Sequence, residues 1–334
     1  MNKCQFYTTN YKYILKGLPQ IPIDEIVLEP FVGYGHLLNL IQNKKVECYD
    51  IDDCGFNNVI NMGFNPKKRD TLKDIPIYKN KYILTNPPFL ARNKSNNKLY
   101  YNLHSQDDLY KCFIQCIINE PCKGGILIIP LNFWSSINCK EIRSKFLFLY
   151  NVVKLNIFEE RVFDDTSYSI CAFYFERHEF PVLNVEIPTF IYPINKNIVL
   201  NYGIENDWTL CFELYNKPSN KYKITRLREG MISNTFIYLK CIDDSIPINL
   251  SINNTPYYGK NTDRSYATLH IIPEINLEIQ EKICYEFNKL LNEYRKKYYS
   301  LFLSNYRESL NNSGRKRITF EMVYNIVGNI LDNL

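Results

Sequence analysis

Between Glu25 and Asp53 the chain reads strand, glycine loop, helix, strand, acid, and few folds accept that order. Glu25-Ile26-Val27-Leu28-Glu29 is a short apolar-centred strand. It runs into Pro30-Phe31-Val32-Gly33-Tyr34-Gly35 and then into a helical stretch, His36-Leu37-Leu38-Asn39-Leu40-Ile41. A second strand, Val46-Glu47-Cys48-Tyr49-Asp50, ends on an acid and continues as Ile51-Asp52-Asp53. This is the first half of a dinucleotide-type βαβ unit. Glycines let backbone approach a ligand, and the acid, about twenty residues on, accepts from two ribose hydroxyls. The loop is GxG without the third glycine, a pattern that an ordinary glycine turn also satisfies. Glu29 sharpens it. A carboxylate just before the loop repels a pyrophosphate and suits a cation. That points away from NAD and towards a nucleoside carrying an ammonium and a sulfonium, S-adenosyl-L-methionine.

A second constrained stretch follows the apolar run Tyr82-Ile83-Leu84. Thr85-Asn86-Pro87-Pro88-Phe89 leaves a buried strand through two prolines, which give up donors and stiffen the turn. The Asn amide, the Pro87 carbonyl and the aromatic face are thereby fixed relative to one another. Two acceptors and a ring suit a planar amine; a stiff loop with a core Phe is the plainer reading. Between the two stretches, Asp70 in Arg69-Asp70-Thr71-Leu72 ends the segment where a third strand belongs. It is either an acceptor for the cofactor's adenine amino group or a solvated loop acid.

The rest of the chain completes the sheet and then changes character. A loop enters a helix over 6–20, where Thr8 or Thr9 offers a cap. Residues 90–108 are polar, with Arg92 and Lys94, and read as a lid over a site or a surface loop. Helical spacing over 107–119 and near 139–149 alternates with strands at 126–130 and 152–158. A turn, Arg161-Val162-Phe163-Asp164, returns the chain as a further strand from Ser169 to Phe175, an antiparallel pair expected at the sheet edge. Near residue 180 short strands broken by Pro and Asn begin. A basic run holds Lys221, Lys223, Arg226 and Arg228. A long amphipathic helix over 275–298 carries a core stripe, and Gly314-Arg315-Lys316-Arg317 precedes a last helix from Phe320.

Bulk properties exclude more than they choose. The 334 residues suffice for two cores, and 46% hydrophobic with 22% charged residues is ordinary for a globular chain. No apolar run reaches membrane length, and the N-terminus lacks the core of a secretory signal. Eleven scattered Cys without CxxC spacing read as reduced thiols in an intracellular protein. Four His without ligand spacing point to no metal. A net charge of +5 permits a nucleic-acid partner.

With Glu29-Pro30 through Gly35, Asp50, Asp70 and Asn86 to Phe89 in this order, residues 5–178 resemble the S-adenosylmethionine-dependent amino-methyltransferases of DNA. The gamma class of N6-adenine enzymes is the nearest in pattern. The resemblance implies an α/β fold: a Rossmann-like class I methyltransferase domain with a mixed seven-stranded sheet over 1–178, and a C-terminal α+β target-recognition domain over 179–334. It implies S-adenosyl-L-methionine as cofactor and duplex DNA as partner. A monomer or weak dimer is expected, with a cognate restriction endonuclease as a candidate companion. Thr8 or Thr9 would hold the methionine carboxylate, with Glu29, Gly33 and Gly35 along the methionine and ribose side. Asp50 would take the ribose hydroxyls, Ile51 would pack on the adenine and Asp70 would take its amino group. Asn86 and Pro87 would grip the target amine. Phe89 and Phe163 would stack on the flipped base. Arg92, Lys94, Lys221, Lys223, Arg226, Arg228, Arg315, Lys316 and Arg317 would face the nucleic acid. The chain departs from the pattern in the aromatic between the two glycines and in a C-terminal half without a match. An RNA adenine-N6 methyltransferase, a protein glutamine methyltransferase and a catalytically inactive DNA-binding subunit are the alternatives. The intact Asn86-Pro87-Pro88-Phe89 speaks against the last.

Overall fold

The computed structural model describes residues 8–42, 44–163, 168–243, 246–303, 305–307 and 315–334. Two compact units emerge. The first runs to Trp134 and again from Asn138 to Trp208; the second is Thr209–Leu334 with Ser135–Ile137.

The first unit is built on a nine-stranded sheet. Its strands are β1 (Val27–Glu29), β2 (Val46–Asp50), β3 (Lys67–Lys68), β4 (Tyr82–Thr85), β5 (Gly124–Pro130), β6 (Tyr150–Phe158), β7 (Ile170–Arg177), β8 (Asn184–Tyr192) and β9 (Lys196–Gly203). Their order is β3-β2-β1-β4-β5-β7-β6-β8-β9. β1, β2, β3, β4 and β5 are mutually parallel, and β7 inserts antiparallel between β5 and β6. This is a mixed, Rossmann-like α/β sheet of the kind expected, with two strands added. β4 and β5 are buried at every residue. A parallel strand covered on both faces is a continuous apolar run, which is why Tyr82-Ile83-Leu84 and the 126–130 run stood out in the sequence.

Two expectations are corrected here. The sheet has nine strands, not seven, and the β6–β7 pair does not form its edge. β8 pairs parallel with β6, and β9 closes the edge antiparallel to β8. The first unit therefore extends past residue 178 to Trp208. β8 alternates exposed and buried positions along most of its length. A strand covered on one face reads differently from the two-sided strands before it, so the change near residue 180 marks the rim of the same sheet.

Among the described residues, ten cysteines are free, and all but Cys54 are buried. No described helix is long and apolar enough to cross a membrane.

The second unit is α+β. Strands β10 (Lys223–Arg226), β11 (Ile237–Lys240), β13 (Asn249–Ile252) and β14 (Tyr266–Ile272) form an antiparallel sheet in the order β10-β14-β11-β13. β12 (Ile242–Asp243), β15 (Asn305–Arg307) and β16 (Arg315–Arg317) form a smaller one. The helix Leu277–Tyr298 is capped by Asn276, whose side chain accepts from Ile279 N at 2.9 Å. Its Ile283, Phe287 and Leu291 are buried, as the stripe predicted. A second helix, Phe320–Asp332, is capped by Thr319.

Candidate active site

A cavity of about 560 Å³ opens at the carboxyl ends of β1, β2 and β4. That is where ligands bind in open α/β sheets, because successive connections diverge there and leave a crevice. Its wall brings together Thr8, Glu29, Val32 to Tyr34, Asp50, Ile51 and Asn86 to Pro88, which come from four separate stretches of sequence.

Glu29 ends β1 and is buried. Its Oε1 accepts from Thr85 Oγ1 at 2.5 Å, across the pair of adjacent parallel strands, and from Phe31 N at 3.1 Å. Burial removes water from the charged form and pushes the carboxyl up to about 8, while the two hydrogen bonds pull the other way. Asp50 ends β2. Its Oδ2 accepts from Gly33 N at 2.8 Å and its Oδ1 from Asp52 N at 2.9 Å, so the acid holds the glycine loop in place. Burial also raises the Asp50 carboxyl.

Both loop glycines take positive φ, 49° at Gly33 and 78° at Gly35. A Cβ on Gly33 would point into open space within the cavity, whereas one on Gly35 would lie 2.9 Å from Val59 Cγ2. Gly33 faces the ligand space; Gly35 lets the helix of residues 56–61 approach and does not line the cavity. Sequence reasoning missed Gly55, which is packed against this loop: a Cβ there would stand 2.1 Å from Gly33 O. A lone Gly outside a motif gave no signal. Thr85 and Thr71 were missed as well. Thr71 Oγ1 donates to Pro30 O at 2.9 Å and ties the third-strand loop to the glycine loop.

Asn86 Nδ2 donates to Thr8 Oγ1 at 3.0 Å. Thr8 thus orients the amide, so it is Thr8 and not the exposed Thr9 that belongs to the site. Ile51 is 57% exposed on the cavity wall, an aliphatic face suited to a purine ring. The 90–108 stretch is more ordered than a lid loop of its polarity suggests. It contains the helix Leu99–His104, and Ser95, Asn97, Tyr100 and Tyr101 line the cavity. Its ends are joined by an Ala91–Asp108 bridge and by Leu90 N donating to Asp108 Oδ1 at 3.1 Å.

Several expected residues lie elsewhere. Asp70 is not on the wall; its Oδ2 accepts from Tyr100 at 2.8 Å. Phe89 and Phe163 are 2% and 4% exposed, and neither lines the cavity. Phe89 packs edge-on against Tyr110 with ring centroids 6.1 Å apart. A covered ring offers no face to a base, so the stacking expected of both is not formed in this conformation. Asp164 lies outside the described residues. Arg92 and Lys94 are exposed; Arg92 Nη2 donates to Asn102 Oδ1 at 2.7 Å, and Lys94 lies over the Tyr168 ring.

In the second unit, Lys221, Lys223 and Arg228 are exposed, but Arg226 and Lys316 are buried. The Arg226 guanidinium donates to the carbonyls of Asp263 and Asn261 and covers the Phe320 ring at 4.7 Å. Lys316 lies over Tyr299 at 4.7 Å. These two cations are structural, which corrects their assignment to a nucleic-acid surface. Arg317 is half-buried on β16; the Arg315 side chain lies outside the described residues. Asp52, Asp53 and Cys54 form the one group of potential metal ligands among the described residues, and Lys68 already pairs with Asp53 at 2.9 Å.

No protein-family model and no curated protein matches the chain. Solved structures do. A modification subunit of a putative type I restriction enzyme from Vibrio vulnificus aligns at 17% identity over 59% of this chain and 49% of its own, with a TM-score of 0.44. A type I restriction-modification methyltransferase subunit from Streptococcus thermophilus aligns at 15% over 58% and 50%, with a TM-score of 0.41. A putative class I S-adenosylmethionine-dependent methyltransferase from Listeria monocytogenes aligns at 14% over 54% and 62%, with a TM-score of 0.42. The chain thus spans about half to three-fifths of the length of these neighbours.

Proposed function

We propose that the chain is an S-adenosyl-L-methionine-dependent methyltransferase acting on the exocyclic N6 of an adenine extruded from duplex DNA. The observation that carries this reading is the convergence of Glu29, Gly33, Asp50 and Asn86-Pro87-Pro88 on one cavity.

The residues present fit the cofactor. A cavity of about 560 Å³ is within the range of small-molecule sites. A buried carboxyl awaits a cation at Glu29, open space adjoins the Gly33 backbone, and Ile51 shows an aliphatic face. When bound, the cofactor supplies an electrophilic methyl on a sulfonium. Glu29 would face the cationic methionine end, Asp50 the ribose hydroxyls and Ile51 the adenine. Thr8 sits between this half and the amine site through its bond to Asn86.

The amine of adenine is a weak nucleophile because its lone pair is delocalised into the ring. Asn86 Oδ1 and the Pro87 carbonyl would accept its two N–H bonds, which biases the nitrogen towards tetrahedral geometry and frees the lone pair. The bond from Asn86 Nδ2 to Thr8 supports this, since it holds the amide plane in place at the cavity wall. Positioning and exclusion of water do the rest. No side-chain base is needed, because the proton leaves after transfer. Extrusion of the base costs a few kcal/mol. Duplex DNA as the substrate draws on the exposed Lys221, Lys223 and Arg228, a smaller set than the sequence suggested.

Incubation with labelled S-adenosylmethionine and DNA, RNA or protein, followed by nucleoside analysis, tests the reading. N6-methyladenine in duplex DNA supports it, and label confined to RNA or protein overturns the substrate. Asn86→Ala should abolish transfer while leaving cofactor affinity within a few fold. A variant that methylates at the normal rate would refute the amine-gripping role.

A further inference from the structure

The acid expected to meet the cofactor's adenine amino group is Asp70, yet the structure places a tyrosine in front of it. Arg69, Thr71 and Leu72 line the cavity and Asp70 does not. Tyr100 is on the wall instead, half-buried, and its hydroxyl donates to Asp70 Oδ2 at 2.8 Å. Tyr100 is held there from both sides. One turn further along the same helix, His104 Nε2 meets Leu72 O at 2.7 Å, and the neighbouring Tyr101 hydroxyl donates to Leu90 O at 2.9 Å. The helix Leu99–His104 is thus tied to the third-strand loop at Asp70 and Leu72. Two fixed points on a short helix leave the phenol little freedom.

A phenol carries one proton. With that proton committed to Asp70, Tyr100 Oη can only accept from a further partner. We propose that Tyr100 Oη is the acceptor that reads the exocyclic amino group of the cofactor's purine, and that Asp70 is a positioning residue acting through it. This rests on the reading of the cavity as an adenosyl site and names a specificity residue within it. A 6-amino purine donates to the phenol oxygen. A 6-oxo purine sets its own oxygen lone pairs against that oxygen and leaves a site acceptor unpaired, which is how a hydrogen-bonding site rejects an isostere.

The test uses the full chain and two probes, S-adenosylhomocysteine and its 6-oxo counterpart S-inosylhomocysteine, with Kd from calorimetry. The wild type should prefer the amino compound by about tenfold or more. Tyr100→Phe should bring the two affinities together by weakening the amino compound alone. Asp70→Asn, which takes away the carboxylate charge that commits the phenol proton, should reduce the preference. Unchanged thermal midpoints show that both variants fold. Retention of the wild-type ratio in Tyr100→Phe overturns the proposal, as does loss of the ratio in Asp70→Asn alone, which would make Asp70 the direct reader. A wild type that binds neither probe overturns the cofactor reading itself, and is told apart by that.

Discussion

On the proposed reading, the buried Glu29 carboxyl makes cofactor binding a proton-linked event whose size follows from the burial of that group. Burial raises the group from its ordinary value of 4.5 to about 8, and the hydrogen bonds from Thr85 and Phe31 offset only part of that. At pH 7 a group titrating near 8 is about 90% protonated. A ligand bearing an ammonium and a sulfonium requires the carboxylate, so seating it draws the titration back down and expels ~0.9 proton at that pH. Cofactor affinity should therefore rise up to about tenfold per pH unit between roughly pH 5 and 8, then level off. Calorimetry at pH 7 in phosphate and in Tris measures the proton count directly, as the difference in observed enthalpy divided by the difference in buffer ionisation enthalpy. Equal enthalpies in the two buffers would refute the reasoning. The free protein carries the opposite sign. A carboxyl whose folded pKa is raised contributes stability that is fully present below its unfolded value and is lost as pH rises through 8. The unfolding midpoint of the unliganded chain should fall between pH 5 and 8, and the cofactor should restore it. Glu29→Gln should flatten both profiles and weaken the cofactor.

Arg226→Ala removes the bonds to the carbonyls of Asp263 and Asn261 and uncovers Phe320, so chemical denaturation should show a loss of about 1–2 kcal/mol. Lys223 is exposed, so Lys223→Ala should leave stability unchanged and, on the DNA reading, lower the slope of DNA affinity against log salt by about 1. Gly55→Ala drives a methyl into Gly33 O and should cost about 1–3 kcal/mol together with cofactor affinity, read by thermal shift with and without ligand. Phe89→Trp reports on its own environment: its emission should be that of a buried indole in the free protein and should be quenched on adding duplex DNA with a non-reactive cofactor analogue. Unchanged emission during active methylation would exclude Phe89 as a base platform.

What the sequence revealed tracks what the backbone alone decides. β4 and β5 were legible because strands covered on both faces read as continuous apolar runs, and the residues ending β1, β2 and β4 were legible because strand ends aim at the crevice. Glu29, Asp50 and Asn86 follow from that logic. The strand pair β8–β9 was misassigned because a rim strand alternates like one from a separate sheet. Gly55, Thr85, Thr71 and Tyr100 were invisible because their roles exist only across long sequence separations. Thr85 matters through a carboxylate 56 residues away. Arg226 was misread for a related reason: a run of cations shows charge, while only register shows that Arg226 lies opposite the buried Leu269 on β14.

The two halves of the site differ in how complete they are, and topology explains the difference. On the proposed reading, the cofactor half hangs on β1, β2 and β4, where parallel pairing fixes each residue against its neighbour. The base half would depend on Phe89 and Phe163, which follow β4 and β6 in connecting segments. On the proposed reading, bringing Phe89 out of the core costs about 1.5–3 kcal/mol of apolar burial. Stacking on an extruded base returns roughly 1–3 kcal/mol. These terms nearly cancel, so the ring has no reason to leave the core in the free protein and little penalty for doing so once a base is present. The base platform would then assemble only around its substrate, over a cofactor half that is already built.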